Sequence, residues 1–371
     1  MKQILNQVIE PTLIINEQIV RKNLKLMAEK AHRNSLALRP HCKTHQSHTV
    51  ARWMRDYDIH ALTVSSIRMA QYFANDGWDD ITIAFPINVL EVDRINELAD
   101  KIKLNIIVES AEAVNQLNSK LKASVNAFIK ADTGYHRTGL RLEDADLIDE
   151  TIEALEKAQH INFLGFLSHA GHSYGARGKA EIEAIHNTSL TTFQSFRDRY
   201  ESTFPNLVYS AGDTPTCSAM DHFPVADELR PGNFVFYDLS QYAIGSCSLG
   251  QIAVLMACPV VAIHKNRNEV VIYGGGVHFS KDRKPHPIHP NDYYGLVADW
   301  ATEGWKLSQE SDYIKSLSQE HGILKVKEAT IDNYKVGDII GVAPIHSCMT
   351  ANLMKRYLTL DGKWIEMMQY P

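Results

Sequence analysis

Cysteine is scarce. The 371-residue chain has five, an odd and scattered number that does not form a disulfide framework, so a reducing cytoplasm is the expected compartment. Basic charge is not in excess: 38 Lys and Arg face 44 Asp and Glu, for a net charge of −6. That balance excludes a generic nucleic-acid or anionic-membrane binder but leaves room for a small basic pocket holding one anion. No apolar run approaches the ~20 residues of a membrane-spanning helix. The first residues, MKQILNQVIEPTLIINE, carry Asn, Gln and Glu where an export signal needs an apolar stretch, so none is expected. There is no low-complexity tract, no repeat at 20–50-residue spacing and no long flexible linker.

What is present is ordinary globular composition, 44% hydrophobic and 22% charged, at a length of about two domains. The first two thirds alternate short apolar runs with amphipathic helices. Val20, Leu24, Met27 and Ala31 share one helix face, with Asn16 as its N-cap. Strands are predicted at 36–41, 61–66, 81–86, 104–110, 126–132, 161–169, 207–211 and 228–238, with helices such as 89–99 and 142–157 between them. Eight such units predict an α/β fold with an N-terminal (β/α)8 barrel over 12–245, an open doubly wound sheet being the competitor. From 246 to 371 the pattern becomes β-rich, with strands predicted at 253–264, 269–273, 327–332, 338–342, 357–360 and 363–367. Asp361-Gly362 is a hairpin turn signal, and residues 1–11 are expected to pack with this second domain.

In a barrel the reactive groups sit at the C-terminal ends of the strands. Here those ends read Arg39-Pro-His-Cys-Lys43-Thr-His45, Asp132-Thr-Gly-Tyr-His-Arg137-Thr-Gly139, Ser168-His-Ala-Gly-His172-Ser-Tyr174-Gly175, Ser210-Ala-Gly212-Asp-Thr214-Pro-Thr216 and Glu228-Leu-Arg230-Pro-Gly232-Asn233. Each fragment alone is weak, since a Lys after a strand is usually just solvated. Together, Gly212, Thr214 and Gly232 offer backbone N–H groups and a hydroxyl suited to one phosphate. Lys43 is placed to bond covalently to an aldehyde cofactor. Arg137 and Arg230 are candidates to hold a cofactor ring or a carboxylate.

These fragments resemble the fold-type III pyridoxal-phosphate enzymes of the alanine racemase superfamily, within it the D-serine dehydratase and D-threonine aldolase branch. Glu320-His-Gly322 and Pro344-Ile-His346-Ser-Cys348 match in the second domain. The resemblance runs through nearly the whole chain, in the family's order. It implies that Lys43 carries pyridoxal 5'-phosphate, that Arg137 lies near the ring oxygen, and that Tyr174, Gly212, Thr214, Gly232 and Asn233 surround the phosphate or ring. Arg230 falls where the superfamily often places the residue facing the pyridine nitrogen. Asp213 departs from the small residue expected there. A carboxylate beside a phosphate is repulsive, so Asp213 is expected to point away or to cap the next helix.

If 344–350 is extended, His346 and Cys348 share one strand face. From spacing alone such a pair is more often structural; the resemblance makes it a divalent-metal pair, and the thiolate points to zinc. His172 is the further first-rank candidate, whereas His286 and His289, in a Pro-rich stretch, read as a solvated loop. The expected function is a pyridoxal-phosphate- and metal-dependent lyase that eliminates water from a β-hydroxy D-amino acid, giving a keto acid and ammonia. D-threonine aldolase chemistry, an amino-acid racemase and a non-catalytic pyridoxal-phosphate carrier are the alternatives within the superfamily. A sugar-phosphate barrel enzyme lies outside it. The resemblance also implies a homodimer.

Overall fold

A computed structural model describes residues 2–369. The chain divides into two compact units. One comprises residues 25–43 and 51–232; the other comprises 1–24, 44–50 and 233–371.

Strand β1, Thr12–Ile15, belongs to the second of these units. The strands of the first unit follow: β2 (Ala37–Leu38), β3 (Leu62–Val64), β4 (Asp80–Pro86), β5 (Lys103–Val108), β6 (Val125–Ala131), β7 (Ile161–Ser168), β8 (Val208–Ala211) and β9 (Glu228–Leu229). Their order is β2-β9-β8-β7-β6-β5-β4-β3, and every pairing is parallel. A parallel bridge between His41 and Thr63 joins the two ends, closing the eight strands into the predicted barrel. The last strand is shorter than predicted. Pairing stops after Leu229, because Pro231 has no N–H to continue the ladder, and the stretch predicted to run on to Asp238 contains the 3-10 turn Asn233–Val235. The barrel is lined by buried apolar side chains such as Ile107, Phe128 and Leu167.

In the other unit β10 (Val254–His264) and β11 (Glu269–Tyr273) form a hairpin. Then come β12 (Lys284–Pro285), β13 (Asp292–Tyr293), β14 (Gly295–Ala301), β15 (Gly304–Lys306), β16 (Tyr313–Leu317), β17 (His321–Lys325), β18 (Ile339–Pro344), β19 (Arg356–Thr359) and β20 (Trp364–Glu366). The main sheet runs β11-β17-β16-β14-β18-β10-β1-β19-β20, and because β10 also pairs with β11, six of its strands form a closed antiparallel ring. Asn16 caps the helix Glu17–Arg33 by accepting the Ile19 N–H at 3.2 Å, as predicted. The β19–β20 hairpin turns at Asp361-Gly362, with Gly362 at φ +82. Ile4 and Val8 pack with Ile14, Ala257 and Leu358.

Three expectations fail in this unit. The strand predicted at 327–332 is a 3-10 helix, Glu328–Asn333, in which only Ile331 is buried. The strands β12 to β17 were not predicted; Asp299, Lys315 and the Gly residues interrupt their apolar alternation. His346 and Cys348 do not share a strand face. Strand β18 ends at Pro344, and His346 is instead the N-cap residue of the helix Ser347–Met354.

Candidate active site

In the barrel unit the reactive residues stand on the loops after the strands. Lys43 follows the His41–Thr63 bridge, its side chain exposed beside fully buried Cys42. After β6, Asp132 organises the next loop. Its Oδ1 accepts the N–H groups of Gly134, Tyr135 and His136, each at 3.0 Å, and its Oδ2 lies 2.9 Å from His136 Nδ1. Arg137 then lies over the Tyr135 ring, 4.9 Å from its centroid. The same ring lies against Gly171, where a Cβ would come within 2.3 Å of it, so any larger residue would displace the Tyr135 ring. The His172 ring stacks at 6.1 Å from Tyr135. Its buried Nδ1 has no hydrogen-bond partner among the described residues. Burial lowers the His172 pKa, against the pull of Asp132.

After β7 and β8 the polar atoms converge. Tyr174 Oη accepts the Thr214 N–H at 3.2 Å, and Thr214 Oγ1 accepts the Gly232 N–H at 3.2 Å. Gly212 has φ +150, and a Cβ there would lie 2.6 Å from the Arg230 backbone nitrogen, so glycine alone permits this approach. His169 Nδ1 donates to the Gly212 carbonyl at 2.7 Å, and burial keeps this imidazole neutral. Asp213 turns inward and caps the helix Thr214–Ala219. It accepts the Thr216 N–H at 2.8 Å, the Thr216 hydroxyl at 2.8 Å and the Ser173 hydroxyl at 2.8 Å. Burial raises its carboxyl to about 6 despite these bonds. Arg230 is buried, which lowers its pKa to about 10 although Glu228 opposes the shift.

Two groups here escaped sequence reasoning. Lys130, on β6, is buried and pulled down to about 7 by that burial, with Arg230 and Arg137 adding repulsion. Ser210 on β8 hydrogen-bonds Arg230. The available signal was a charged residue inside the apolar strand Phe128-Ile-Lys130-Ala.

The other unit holds the His–Cys pair. The two side chains are hydrogen-bonded; that bond and the Cys348 charge carry His346 up to about 9 against its burial, and the same bond lowers the Cys348 pKa although burial would raise it. His346 Nδ1 lies 3.1 Å from Asp282 Oδ2. A ring nitrogen facing a carboxylate donates to it, so Nε2 is the nitrogen that could ligate an ion. Cys348 Sγ lies 3.3 Å from Thr44 Oγ1 and 3.3 Å from Asn233 Nδ2. Asp238 Oδ2 accepts from Asn233 Nδ2 at 2.7 Å and from the Ser347 N–H at 3.0 Å, while Oδ1 accepts the Gln241 N–H at 2.9 Å. The structure thus puts Asn233 beside the pair, with its buried Oδ1 without a partner among the described residues. An imidazole, a thiol with a lowered pKa and a nearby unpartnered amide oxygen fit a soft divalent ion. No cluster of three His, Cys, Asp or Glu occurs among the described residues, so part of the ion's shell must come from water or substrate. The barrel cradle likewise fits pyridoxal phosphate: a lysine, small-residue loops and convergent N–H and hydroxyl groups. His286 is not solvated as expected. It is buried against Tyr293 and Tyr313, and its Nδ1 accepts the N–H groups of Ile288 and His289.

Comparison with known proteins follows the same two regions. Residues 15–240 match the alanine racemase N-terminal domain, and residues 253–360 match the putative serine dehydratase domain. The D-serine dehydratase of Dictyostelium discoideum is 29% identical, covering 96% of this chain and 95% of its own. The structure of D-threo-3-hydroxyaspartate dehydratase from Delftia sp. HT23 superposes with a TM-score of 0.90 at 24% identity, covering 99% of both chains, and has also been solved as a cysteine-to-alanine mutant in the metal-free form. D-threonine aldolase from Filomicrobium marinum superposes at 0.82 with 17% identity, covering 96% of this chain and 94% of its own.

Proposed function

The chain belongs to the family of the alanine racemase N-terminal domain, and from that membership we propose that it is a pyridoxal-phosphate- and zinc-dependent lyase. Its substrate is a β-hydroxy D-amino acid such as D-serine, D-threonine or a 3-hydroxy-D-aspartate, converted by elimination to a keto acid and ammonia. The observation that carries the reading is the hydrogen-bonded His346–Cys348 pair, in a chain whose relatives include, over nearly the full length and at 29% and 25% identity, proteins named D-serine dehydratase and D-threo-3-hydroxyaspartate dehydratase.

Bound pyridoxal phosphate supplies an electron sink for charge at Cα, and bound zinc supplies a Lewis acid for the β-hydroxyl. The chain's residues do the rest. Lys43 would anchor the cofactor, and its amine would serve as the base for the Cα proton. Tyr174, Gly212, Thr214 and Gly232 would hold the phosphate, with the Thr214 and Gly232 N–H groups exchanging their present oxygen partners for it. Arg137 sits toward the ring oxygen. Arg230, a donor only, would face the pyridine nitrogen and disfavour its protonation. That weakens the sink and makes assistance to the departing hydroxyl more important. His346 and Cys348 hold the ion, and Asn233 steadies the thiolate. His172, neutral and partnerless at Nδ1, is the group available to exchange a proton with substrate. The working form is a cytoplasmic homodimer. Among the described residues, no helix is long and apolar enough to cross a membrane.

The test incubates the enzyme with each D-compound and its L-enantiomer and assays keto acid plus ammonia separately from glycine plus aldehyde. Keto acid and ammonia from D-substrates are expected. Glycine as the main product makes it an aldolase, and interconversion of enantiomers with neither product set makes it a racemase.

A further inference from the structure

A chain of buried polar side chains runs away from Arg230 inside the barrel unit. Arg230 Nε donates to Ser210 Oγ, and Ser210 Oγ donates to Glu228 Oε1. Arg39 Nε donates to Glu228 Oε2 at 2.9 Å, and Arg39 Nη1 donates to Asp80. Ser210 and Glu228 are directly paired on neighbouring strands β8 and β9, and Arg230 lies two residues beyond Glu228. Ser210 is fully buried, and Glu228, Arg230 and Arg39 are each under 10% exposed.

The direction of this chain is fixed. A guanidinium only donates and a carboxylate only accepts, so the single Ser210 proton must point to Glu228 while its lone pair faces Arg230. The two cations and two carboxylates alternate along the path, so each charge has a buried counter-charge. Arg230 Nη2 donates further to the Ser168 carbonyl and to the Ser210 carbonyl, the latter at 3.1 Å. These bonds commit the Nε–H and both Nη2–H groups of five. The Nη1 amino group is left for a ligand.

We propose that Ser210 and Glu228 are positioning residues, which lock the Arg230 guanidinium so that its Nη1 faces the cofactor ring. The inference rests on the reading that Arg230 faces that ring. The competing role is purely structural, with Glu228 and Arg39 merely closing one end of the barrel as a buried ion pair. Ser210→Ala separates the two, because it cuts the link to Arg230 and leaves the Arg39–Glu228 pair intact.

Pyridoxal phosphate is titrated into apoenzyme of wild type, Ser210→Ala, Glu228→Gln and Arg230→Ala, and the visible band of each holoenzyme is followed from pH 6 to pH 10. Ser210→Ala is expected to keep its melting temperature near wild type. It should bind the cofactor about tenfold more weakly, the scale of one lost hydrogen bond to a charged group. The pH midpoint of its visible band should move in the same direction as that of Arg230→Ala, and Glu228→Gln should move it likewise. If Ser210→Ala does not fold, Ser210→Cys, which keeps a small side chain but replaces the hydroxyl with a weak sulfur acceptor and also leaves the Arg39–Glu228 pair intact, gives the same reading. An affinity and midpoint unchanged in Ser210→Ala, with both changed in Arg230→Ala, would overturn the positioning role alone. An unchanged Arg230→Ala would overturn the underlying reading of Arg230 and the inference with it.

Discussion

Asp213 in the barrel unit and Asp238 in the β-rich unit are both buried carboxylates that organise a loop, and the two are wired differently. In the barrel unit Asp213 receives one backbone N–H and two hydroxyls, and its Oδ2 is met only by the Thr216 hydroxyl. In the β-rich unit both oxygens of Asp238 receive N–H groups, from Gln241 on one side and from Asn233 and Ser347 on the other. A hydroxyl can reverse and donate elsewhere, whereas an N–H cannot. Asp213 is therefore met mostly by groups that tolerate a change of its charge, unlike Asp132 in the same unit, whose Oδ1 accepts three backbone N–H groups. Asp238 is met mainly by N–H donors that demand a carboxylate, with the Ser347 hydroxyl added at 3.2 Å, and it joins positions 233 and 347 that no local pattern connects.

The largest effects break the comparison by removing chemistry from one unit at a time. Lys43→Ala should abolish the borohydride-trapped pyridoxyl-lysine adduct and lower turnover by roughly 10³-fold or more. An adduct mapped to another lysine would end the assignment. His346→Ala or Cys348→Ala should leave pyridoxal phosphate bound while turnover falls ~10²-fold or more, with a chelator reproducing the loss in wild type. Full activity in metal-free protein would refute the metal's role and revive the racemase reading.

The next effect is structural. Asp238→Asn sets an amide N–H against N–H donors whichever way it is flipped, so it should cost about 1–3 kcal/mol by loss of satisfied buried bonds. It should also weaken metal binding measured by titration. Wild-type stability in this variant would show that the Asp238 network does not hold the pair.

Legibility in the sequence follows the same division. The barrel could be read because its buried parallel strands are short apolar runs that end in polar clusters; the close approaches at Gly171 and Gly212 are visible only in the structure. Asp213 as a cap could also be read, from the repulsion a carboxylate would feel beside a phosphate. In the β-rich unit the alternation is broken by charged and glycine positions, so β14 to β17 gave no clear period. The His-x-Cys spacing put the pair on the wrong element: Pro344 ends the strand, and the helix that starts after His346 brings the two side chains together. Lys130, Ser210 and Glu228 matter through contacts across the barrel interior, which spacing along the chain does not encode.

Two smaller predictions sharpen the electrostatic side of the comparison, both measured on apoprotein. Burial lowers the Lys130 pKa from 10.5 to about 7, with Arg230, Glu109, Arg137 and Asp132 around it. Its folded pKa is depressed, so the unfolded chain holds the extra proton between those values. The stability it contributes is present above its unfolded pKa and lost as pH falls through about 7. Lys130→Met should flatten that slope and melt higher than wild type at neutral pH. Parallel pH profiles would contradict the shift.

Asp213→Asn is the mildest test, and its sign is opposite in origin. The Asp213 carboxyl is raised from 3.8 to about 6 by burial, against its bonds from Thr216 and Ser173. A raised folded pKa means that the folded chain holds the proton more tightly. The stability it contributes is therefore complete below its unfolded pKa and lost as pH rises through about 6. Asparagine keeps an oxygen for the Thr216 N–H and the Ser173 hydroxyl, and the Thr216 hydroxyl can turn to accept from the new amide. Asp213→Asn should match wild type near pH 4 and melt higher than wild type at pH 8, because no buried carboxylate forms. Asp213→Ala, which loses the cap, should instead be weaker by about 1 kcal/mol across the range. An Asp213→Asn profile that falls with pH as steeply as wild type would show that Asp213 does not titrate in this window, and the contrast with Asp238 would then rest on hydrogen-bond geometry alone.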